Sequence, residues 1–294
     1  MTRRCCLTIL WLTILVAATH GVLLADDEEE RVSYGPSDDE PRGTLFQWSY
    51  GTSFSGGPDR DEPIVTDRPD FTEASVTVGK GVVQLETGYT YSYDGASGLR
   101  GHSYPESLFR IGILEDWLEF RIALNHSSGR EGGAAAATHF SDESLYLGFK
   151  IALTPQEGWF PEMAIVPQMV RPASTGGTFL PGVNWLYGWD ITEKIATGGS
   201  TQYNRDIDGT TSRLHGVFAQ SWTINFSLTE KLGLYTEWFC LVPAGSDTEH
   251  TQHYFDSGFT YLVNNDLQLD IRAGVGASES SDDYFLGTGF SVRF

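Results

Sequence analysis

Charged residues recur on one face of segments whose other face is apolar. Glu119 and Arg121 alternate with Leu118, Phe120 and Ile122. Side chains alternate sides along a strand, so these charges share the face that points away from the apolar one. The inward-facing set is Glu86, Arg110, Glu119, Arg121, Lys150, Asp190, Glu237, Asp256, Asp270, Arg272 and Arg293. Such groups either line a narrow aqueous path, where they set ion preference, or pair with one another across the interior.

The spacing of two of these pairs favours the second alternative. Glu119 and Arg121, like Asp270 and Arg272, lie two positions apart on one face. Buried charges are normally paired, so we favour structural ion pairs over selectivity for these groups.

A hydrolytic or metal site is the other chemistry that the sequence offers. Asn125-His-Ser-Ser-Gly129 is a local cluster of histidine and serine, but seven histidines and many serines make chance proximity common. His250 and His253, with Asp247 and Glu249, could bind a divalent cation, although solvated loop polarity explains them better. His139 lies in another loop. We predict no catalytic residues, no metal and no cofactor, and the protein is not expected to be an enzyme.

The elements that would position these residues are strands. Alternation begins at Val82 and continues to the end of the chain, with strand starts near Val82, Ser103, Trp117, Ser141, Pro161, Gly182, Lys194, Arg213, Leu232, His253, Leu267 and Tyr284. Short turns such as Asn264–Asp266 alternate with long polar loops, among them Asp94–His102, His126–Phe140 and Arg205–Ser212. The outer face carries aromatic rings at strand ends, as membrane girdles do. The pattern predicts an antiparallel transmembrane β-barrel of about twelve strands.

The two ends of the chain indicate export. Arg3 and Arg4 precede an apolar core over Leu7–Ala18, which predicts a signal peptide over residues 1–25, cleaved after Ala25 or Gly21. Residues 26–62 are acidic and rich in Gly, Ser and Pro, which predicts a flexible leader ahead of a barrel over 63–294. The last strand ends on an aromatic residue, as in bacterial outer-membrane barrels, so Phe290, Val292 and Phe294 are expected to form the assembly signal.

The charge of the chain excludes one class of partner. It has 19 basic and 39 acidic residues and a net charge of −20. Nucleic-acid binding relies on clustered Lys and Arg, so we expect no nucleic-acid partner.

The segment ahead of the first strand carries a family resemblance. The box Ile64-Val-Thr-Asp-Arg-Pro-Asp-Phe-Thr-Glu-Ala74, followed by Gly81–Tyr91 and the terminal Phe294, resembles the outer-membrane family labelled "putative MetA-pathway of phenol degradation". The resemblance covers residues 64–294. It implies a barrel, and passage of small molecules of hydrophobic or aromatic character.

Two interpretations of the box remain open from the residues alone. Asp67, Arg68, Asp70 and Glu73 could fold back into the barrel as a small plug, with Asp67 and Arg68 pairing against interior charges. The segment could equally be a cap that starts the first strand.

The resulting hypothesis is an outer-membrane channel or transporter for small molecules. Its expected partners are outer-membrane lipid, the barrel-assembly machinery and a small-molecule solute. The alternatives are a lipase-like membrane enzyme and a structural or adhesion barrel.

Overall fold

The computed structural model describes residues 62–129, 144–172, 177–208 and 210–294, together with Leu45. The predicted signal peptide lies outside these residues, as does the predicted leader apart from Leu45 and Glu62. No described helix is long and apolar enough to cross a membrane.

The described chain forms fourteen strands. Their bounds are β1 Val83–Asp94, β2 Leu99–Ser103, β3 Ser107–Gly112, β4 Leu118–Asn125, β5 Ser127–Gly129, β6 Ser144–Thr154, β7 Glu162–Pro172, β8 Leu180–Thr192, β9 Ile195–Ile207, β10 Leu214–Ser227, β11 Leu232–Ala244, β12 Gln252–Asn264, β13 Leu267–Gly276 and β14 Tyr284–Arg293. Each strand from β6 to β14 pairs antiparallel with its sequence neighbour.

The sheet closes because β14 also pairs with β1. Thr87 lies opposite Phe290 and Gly88 opposite Gly289 in this antiparallel pair. The N–H of Phe294 then donates to the carbonyl of Val83 at 2.8 Å. This pairing removes the free edges that β1 and β14 would otherwise expose, as a barrel in lipid requires.

Two of the barrel's crossings are broken strands. β1 pairs with β2 along one half and with β3 along the other, and β5 continues the line of β4 by pairing with β2. The interruption at residues 104–106 keeps two backbone bonds, from the N–H of Glu106 to the carbonyl of Gly88 and from the N–H of Tyr104 to the carbonyl of His126. The fourteen strands therefore make twelve crossings, as the alternation predicts.

The two faces of the wall have opposite chemistry. On β1 the inner face carries Gln84, Glu86 and Thr90, each at most 1 % exposed, whereas Tyr89 on the outer face is 37 % exposed. Exposed apolar side chains such as Trp185, Phe218 and Ile271 continue the outer surface. A polar interior inside an apolar exterior is the arrangement of barrels that span a bilayer.

Some predicted boundaries were wrong. The predicted loop Asp94–His102 is reduced to Gly95–Gly98, because β2 begins at Leu99. β9 runs to Ile207 into the predicted loop that starts at Arg205, and β5 lies within the predicted loop His126–Phe140. The polarity of residues such as Arg205 suggested a loop. At the ends of barrel strands, however, the backbone groups of polar residues form ladder hydrogen bonds as those of other strand residues do.

Candidate functional site

The chain ahead of the first strand runs inside the barrel. We call Glu62–Val82 the inner segment. One end is fixed at the short-turn rim, where the N–H of Ile64 donates to the carbonyl of Asn265 at 2.8 Å. Beyond it, the segment forms hydrogen bonds or ion pairs with side chains of β1, β3, β4, β6, β7, β10, β11 and β13. Contacts on so many strands place it within the interior and across its width.

Asp67 is the centre of the charged contacts. Its carboxylate lies 2.8 Å from Lys150 Nζ, 2.8 Å from Arg121 Nη1 and 3.4 Å from Arg110 Nη1. The three cations stand on β6, β4 and β3. Burial alone would raise the pKa of the Asp67 carboxyl, but Arg110, Lys150 and Arg121 together hold this pKa well below its usual range.

Acidic side chains complete this network. Glu119 Oε1 accepts from Arg110 Nε at 2.9 Å, and Glu86 Oε1 lies 3.1 Å from Arg110 Nη1. Glu73, also on the inner segment, lies 3.2 Å from Arg121 Nη2. All of these groups are buried, and pairing of this kind is what makes such burial tolerable.

The backbone of the inner segment is bound as well. Arg110 Nη2 donates to the carbonyl of Val76 at 2.9 Å, and Lys150 Nζ donates to that of Ala74 at 2.7 Å. The N–H of Val78 donates to Glu119 Oε2 at 2.9 Å. The wall charges therefore satisfy backbone groups that are otherwise removed from water.

Arg68 binds acidic groups on both sides of the seam where β14 meets β1. Its guanidinium donates to both Asp270 oxygens, at 3.2 Å from Nε and 3.1 Å from Nη2, and to Glu106 at 2.8 Å. Gly88 and Gly289 face each other beneath it. A Cβ added at Gly289 would lie 2.6 Å from Arg68 Nε, and one at Gly88 would collide with the same guanidinium. The two glycines thus leave the space that Arg68 fills.

Glu237 on β11 clamps the middle of the inner segment. Its two oxygens accept from the N–H of Phe71 at 2.6 Å and from the N–H of Thr72 at 2.7 Å, and one also accepts from the Thr72 hydroxyl. The ring of Phe71 stacks on Phe239, with centroids 4.7 Å apart. Phe71 belongs to a buried cluster with Ala219, Phe239, Tyr254 and Phe285.

Next to this clamp, acidic groups crowd together. Asp256 accepts from the Tyr235 hydroxyl at 2.7 Å. Burial, and after it the charge of Asp256, raises the pKa of Asp70 well above its usual range. Arg272 donates to the carbonyl of Pro69 at 2.8 Å and to the Thr90 hydroxyl at 2.8 Å. The surroundings therefore favour the ionised form of Asp67 and disfavour the ionised form of Asp70.

Most residues predicted to face inward do so. Those buried on the inner face of the wall are Glu86, Arg110, Glu119, Arg121, Lys150, Glu237, Asp256, Asp270 and Arg272. Arg293 is buried at the rim, 2.8 Å from Asp266. Asp190 is exposed near the end of β8, where it lies opposite Ala196 just ahead of the irregularity between Asp190 and Thr192, and its inward placement stays a prediction.

One of the two ion pairs expected between residues two positions apart is present. Glu119 lies 3.4 Å from Arg121 on the same strand. Asp270 is instead bound by Arg68, and Arg272 by Pro69 and Thr90. The inner segment supplied Arg68 and Pro69 and β1 supplied Thr90, and spacing along β13 could not reveal them.

Some interior residues were missed. Glu106 stands in the break between β2 and β3, where alternation is lost, so no periodic signal marked it. Phe239 and Tyr254 neighbour the outward-facing Trp238 and Phe255. Where both faces of a strand are aromatic, hydrophobic alternation cannot tell inside from outside.

The predicted assembly signal lies on the outer surface of the last strand. Phe290 is 40 % and Phe294 60 % exposed, and Val292 shares their face. This position allows recognition from the lipid side, and the role in assembly stays a prediction.

The residues weighed for catalysis or metal binding make ordinary contacts. Asn125 accepts from the Ser103 hydroxyl at 3.1 Å, and the ring of His126 packs against Tyr104. In the outer loops, Asp247 pairs with Arg213 and Glu249 with His215. His139 lies outside the described residues. Within the part of the chain that is described, no group of three or more His, Cys, Asp or Glu is placed to bind a metal ion.

A closed antiparallel barrel of twelve crossings, apolar outside and polar inside, defines the porin-like class of outer-membrane transmembrane β-barrels. The chain belongs to the family described as "Putative MetA-pathway of phenol degradation", whose model matches residues 66–294. A search of curated proteins finds no significant match.

Among solved structures, the chain is similar to the NanC porin at 10% identity and a TM-score of 0.49, over 72% of this chain and 100% of that one. It is similar to the KdgM porin in complex with disordered oligogalacturonate at 7% identity and a TM-score of 0.47, over 71% and 99%. It is also similar to the translocator domain of the autotransporter NalP from Neisseria meningitidis at 13% identity and a TM-score of 0.45, over 74% and 89%.

Proposed function

We propose that the protein is an outer-membrane channel or transporter for small molecules, and that the inner segment is a plug that closes it. The single observation that carries this proposal is the Asp67 carboxylate, within 3.4 Å of cations on three different strands. A cap that merely starts the first strand needs no such contacts deep in the barrel.

Ion pairs of this kind allow the inner segment to leave the closed position. Buried ion pairs contribute little net stability, because desolvation offsets much of their attraction. Water entering behind a departing segment can solvate Arg110, Arg121 and Lys150. The plugged and open states can therefore lie within a few kcal/mol of each other, which is the range in which a ligand shifts a population.

Family membership and the interior aromatics support hydrophobic or aromatic cargo. The Phe71 cluster places several rings in the interior of the barrel, where the apolar part of a solute could pack once the plug moves. This part of the proposal names a class of solute and no particular compound.

Single-channel recording in planar bilayers tests the proposal, with phenol and octanoate added to one side. We compare the wild type with Asp67→Asn, which keeps the shape of the side chain and removes its charge. Breaking a buried ion pair from one side costs about 3–5 kcal/mol, so we expect the open probability to rise by at least about tenfold.

The matched control is Asp247→Asn, because Asp247 pairs with Arg213 in an exposed loop. It should leave the recordings unchanged. A folded Asp67→Asn barrel that stays silent under all conditions would contradict the channel and favour a structural barrel. Release of fatty acid from added lipid would favour the enzyme instead.

A further inference from the structure

The inner wall of the barrel is divided into a charged part and an uncharged part. Along β7–β10 the buried inner face carries Ala164, Val166, Gln168, Asn184, Leu186, Ser200, Gln202, Ala219, Ser221 and Thr223. We call these ten residues the neutral sector. None of the ten is charged. The titratable groups of these strands lie toward the strand ends: Glu162 of β7 accepts from the Ser75 hydroxyl of the inner segment, and the buried His215 of β10 pairs with Glu249.

The neutral sector is one continuous surface. The register places Val166 opposite Asn184, Asn184 opposite Gln202, and Gln202 opposite Ala219. A second row joins Leu186, Ser200 and Ser221 in the same way. Ala164, Val166 and Leu186 pack together as a small apolar cluster beside the amides.

A chain of hydrogen bonds between side-chain amides crosses this surface and ends at Gln202. Gln168 Nε2 donates to Asn204 Oδ1 at 2.7 Å, and Asn204 Nδ2 lies 3.5 Å from Gln202 Oε1. Gln202 Nε2 and both polar atoms of Asn184 then have no hydrogen-bond partner in the described structure. Asn184 is 0% and Gln202 2% exposed. Buried polar groups are normally satisfied, so these three atoms are open to a further ligand.

The inner segment touches the neutral sector through hydroxyl groups. Thr72 Oγ1 lies 2.6 Å from Ser221 Oγ, which in turn lies 2.8 Å from Ser200 Oγ. On β3, β4, β6 and β13 the same segment is bound by ion pairs. Hydroxyl contacts can be exchanged one for one with a hydroxylated solute, because the solute offers the same donors and acceptors.

We propose that the neutral sector is the path by which solutes pass the inner segment, and that Asn184 and Gln202 bind uncharged, hydroxyl-bearing small molecules on the way. The proposal rests on the transport function proposed above. A charged solute would lose its hydration on a surface with no counter-charge, which disfavours it. An uncharged solute that both donates and accepts satisfies the free amide atoms.

Liposome swelling with three sugars of similar size tests this placement: glucose is uncharged, glucosamine is a cation and glucuronate is an anion. The assay uses the wild type and Asp67→Asn. We expect glucose to enter at least about tenfold faster than either charged sugar. Asn184→Leu removes both free amide atoms, and it should reduce glucose entry about tenfold while the barrel still folds, because an apolar side chain fits a site without hydrogen bonds.

Thr201→Val is the matched control, since Thr201 follows Ser200 on β9 but faces outward. It should leave all rates unchanged. Equal rates for the three sugars, or a glucose rate that Asn184→Leu leaves unchanged, would overturn the path along the neutral sector but not the transport function. An absence of swelling with every sugar in both backgrounds would overturn the transport function, and this inference with it.

A second measurement avoids the amide variants. Ser200→Cys, made together with Cys240→Ser, places a single thiol in the sector. Uncharged methyl methanethiosulfonate should modify it faster than the trimethylammonium reagent and reduce glucose entry. Faster reaction with the cationic reagent would contradict an uncharged path.

Discussion

Arg68 and Asp270 are 202 residues apart in the chain and are joined by two parallel hydrogen bonds of 3.1 and 3.2 Å. This fork links the inner segment to β13, next to the seam where β14 meets β1. A bidentate pair fixes orientation as well as distance, so the fork defines where the inner segment sits.

Gly88→Ala should loosen this fork without breaking the barrel. The three atoms nearest to the added Cβ all belong to the flexible Arg68 side chain, which can move more easily than the wall. We expect a severalfold higher open probability in single-channel recordings, with the folded form still resistant to detergent unfolding. Gly188→Ala is the control, because its Cβ would come no closer than 3.5 Å to any neighbour. Equal gating by the two variants would argue that Arg68 does not hold the closed state.

A disulfide between Thr72→Cys and Ser221→Cys should lock the inner segment in place. Their hydroxyl oxygens are 2.6 Å apart, which suits a bridge, and Cys240→Ser removes the competing thiol. The oxidised protein should be silent and dithiothreitol should restore conductance. The paired control joins Ser278→Cys to Ser281→Cys in an outer loop, where the oxygens are 2.7 Å apart. Conductance that survives oxidation at 72 and 221 would contradict a moving plug.

Asp70→Asn should act in the direction opposite to Asp67→Asn. A carboxyl whose pKa is raised in one state opposes that state while it is ionised. Ionised Asp70, beside Asp256 and Glu237, therefore favours release of the inner segment at neutral pH. The Asp70→Asn variant lacks this charge, so its open probability at pH 7 should be severalfold lower. An unchanged or higher open probability would show that the Asp70 charge does not oppose closure.

The same two acids predict a pH profile. Protonation of Asp70 begins above its ordinary value of 3.8, so closure should tighten as the pH falls from neutral toward that value. The pKa of Asp67 is lowered, so its contribution to closure is complete above 3.8 and declines only below it. Open probability should pass through a minimum near pH 4, and Asp70→Asn should weaken the fall that precedes the minimum.

Deletion of Phe294 should impair assembly in cells more than folding in detergent. It removes one closing bond, from its N–H to Val83, worth about 1 kcal/mol. Refolding of the purified chain should therefore be nearly normal. If the terminal ring is also read by the assembly machinery, the amount of folded barrel in the outer membrane should fall severalfold. An equal loss of folded barrel in both assays would show that Phe294 acts only through its closing hydrogen bond.

Sequence reasoning succeeded where local periodicity carries the information. The alternation around Glu119 and Arg121 assigned the inner face correctly, because a strand has only two faces and lipid accepts only one of them. The same reasoning missed Glu106 and misplaced the boundaries near Leu99 and Ile207. Each lies at a break or a strand end, where the period is lost or polarity resembles that of a loop.

The sequence by itself determined a barrel of twelve crossings, its outward and inward faces, and a charged box ahead of the first strand. The residues alone left the plug and the cap equally possible for that box, since its partners lie up to 203 residues away and no local pattern records them. Only the tertiary structure decided that Asp67 meets three cations inside the barrel and that the Asn184 amide and Gln202 Nε2 have no hydrogen-bond partner in the described structure. Both facts depend on which strands face each other around a closed sheet, and closure is a property of the whole chain.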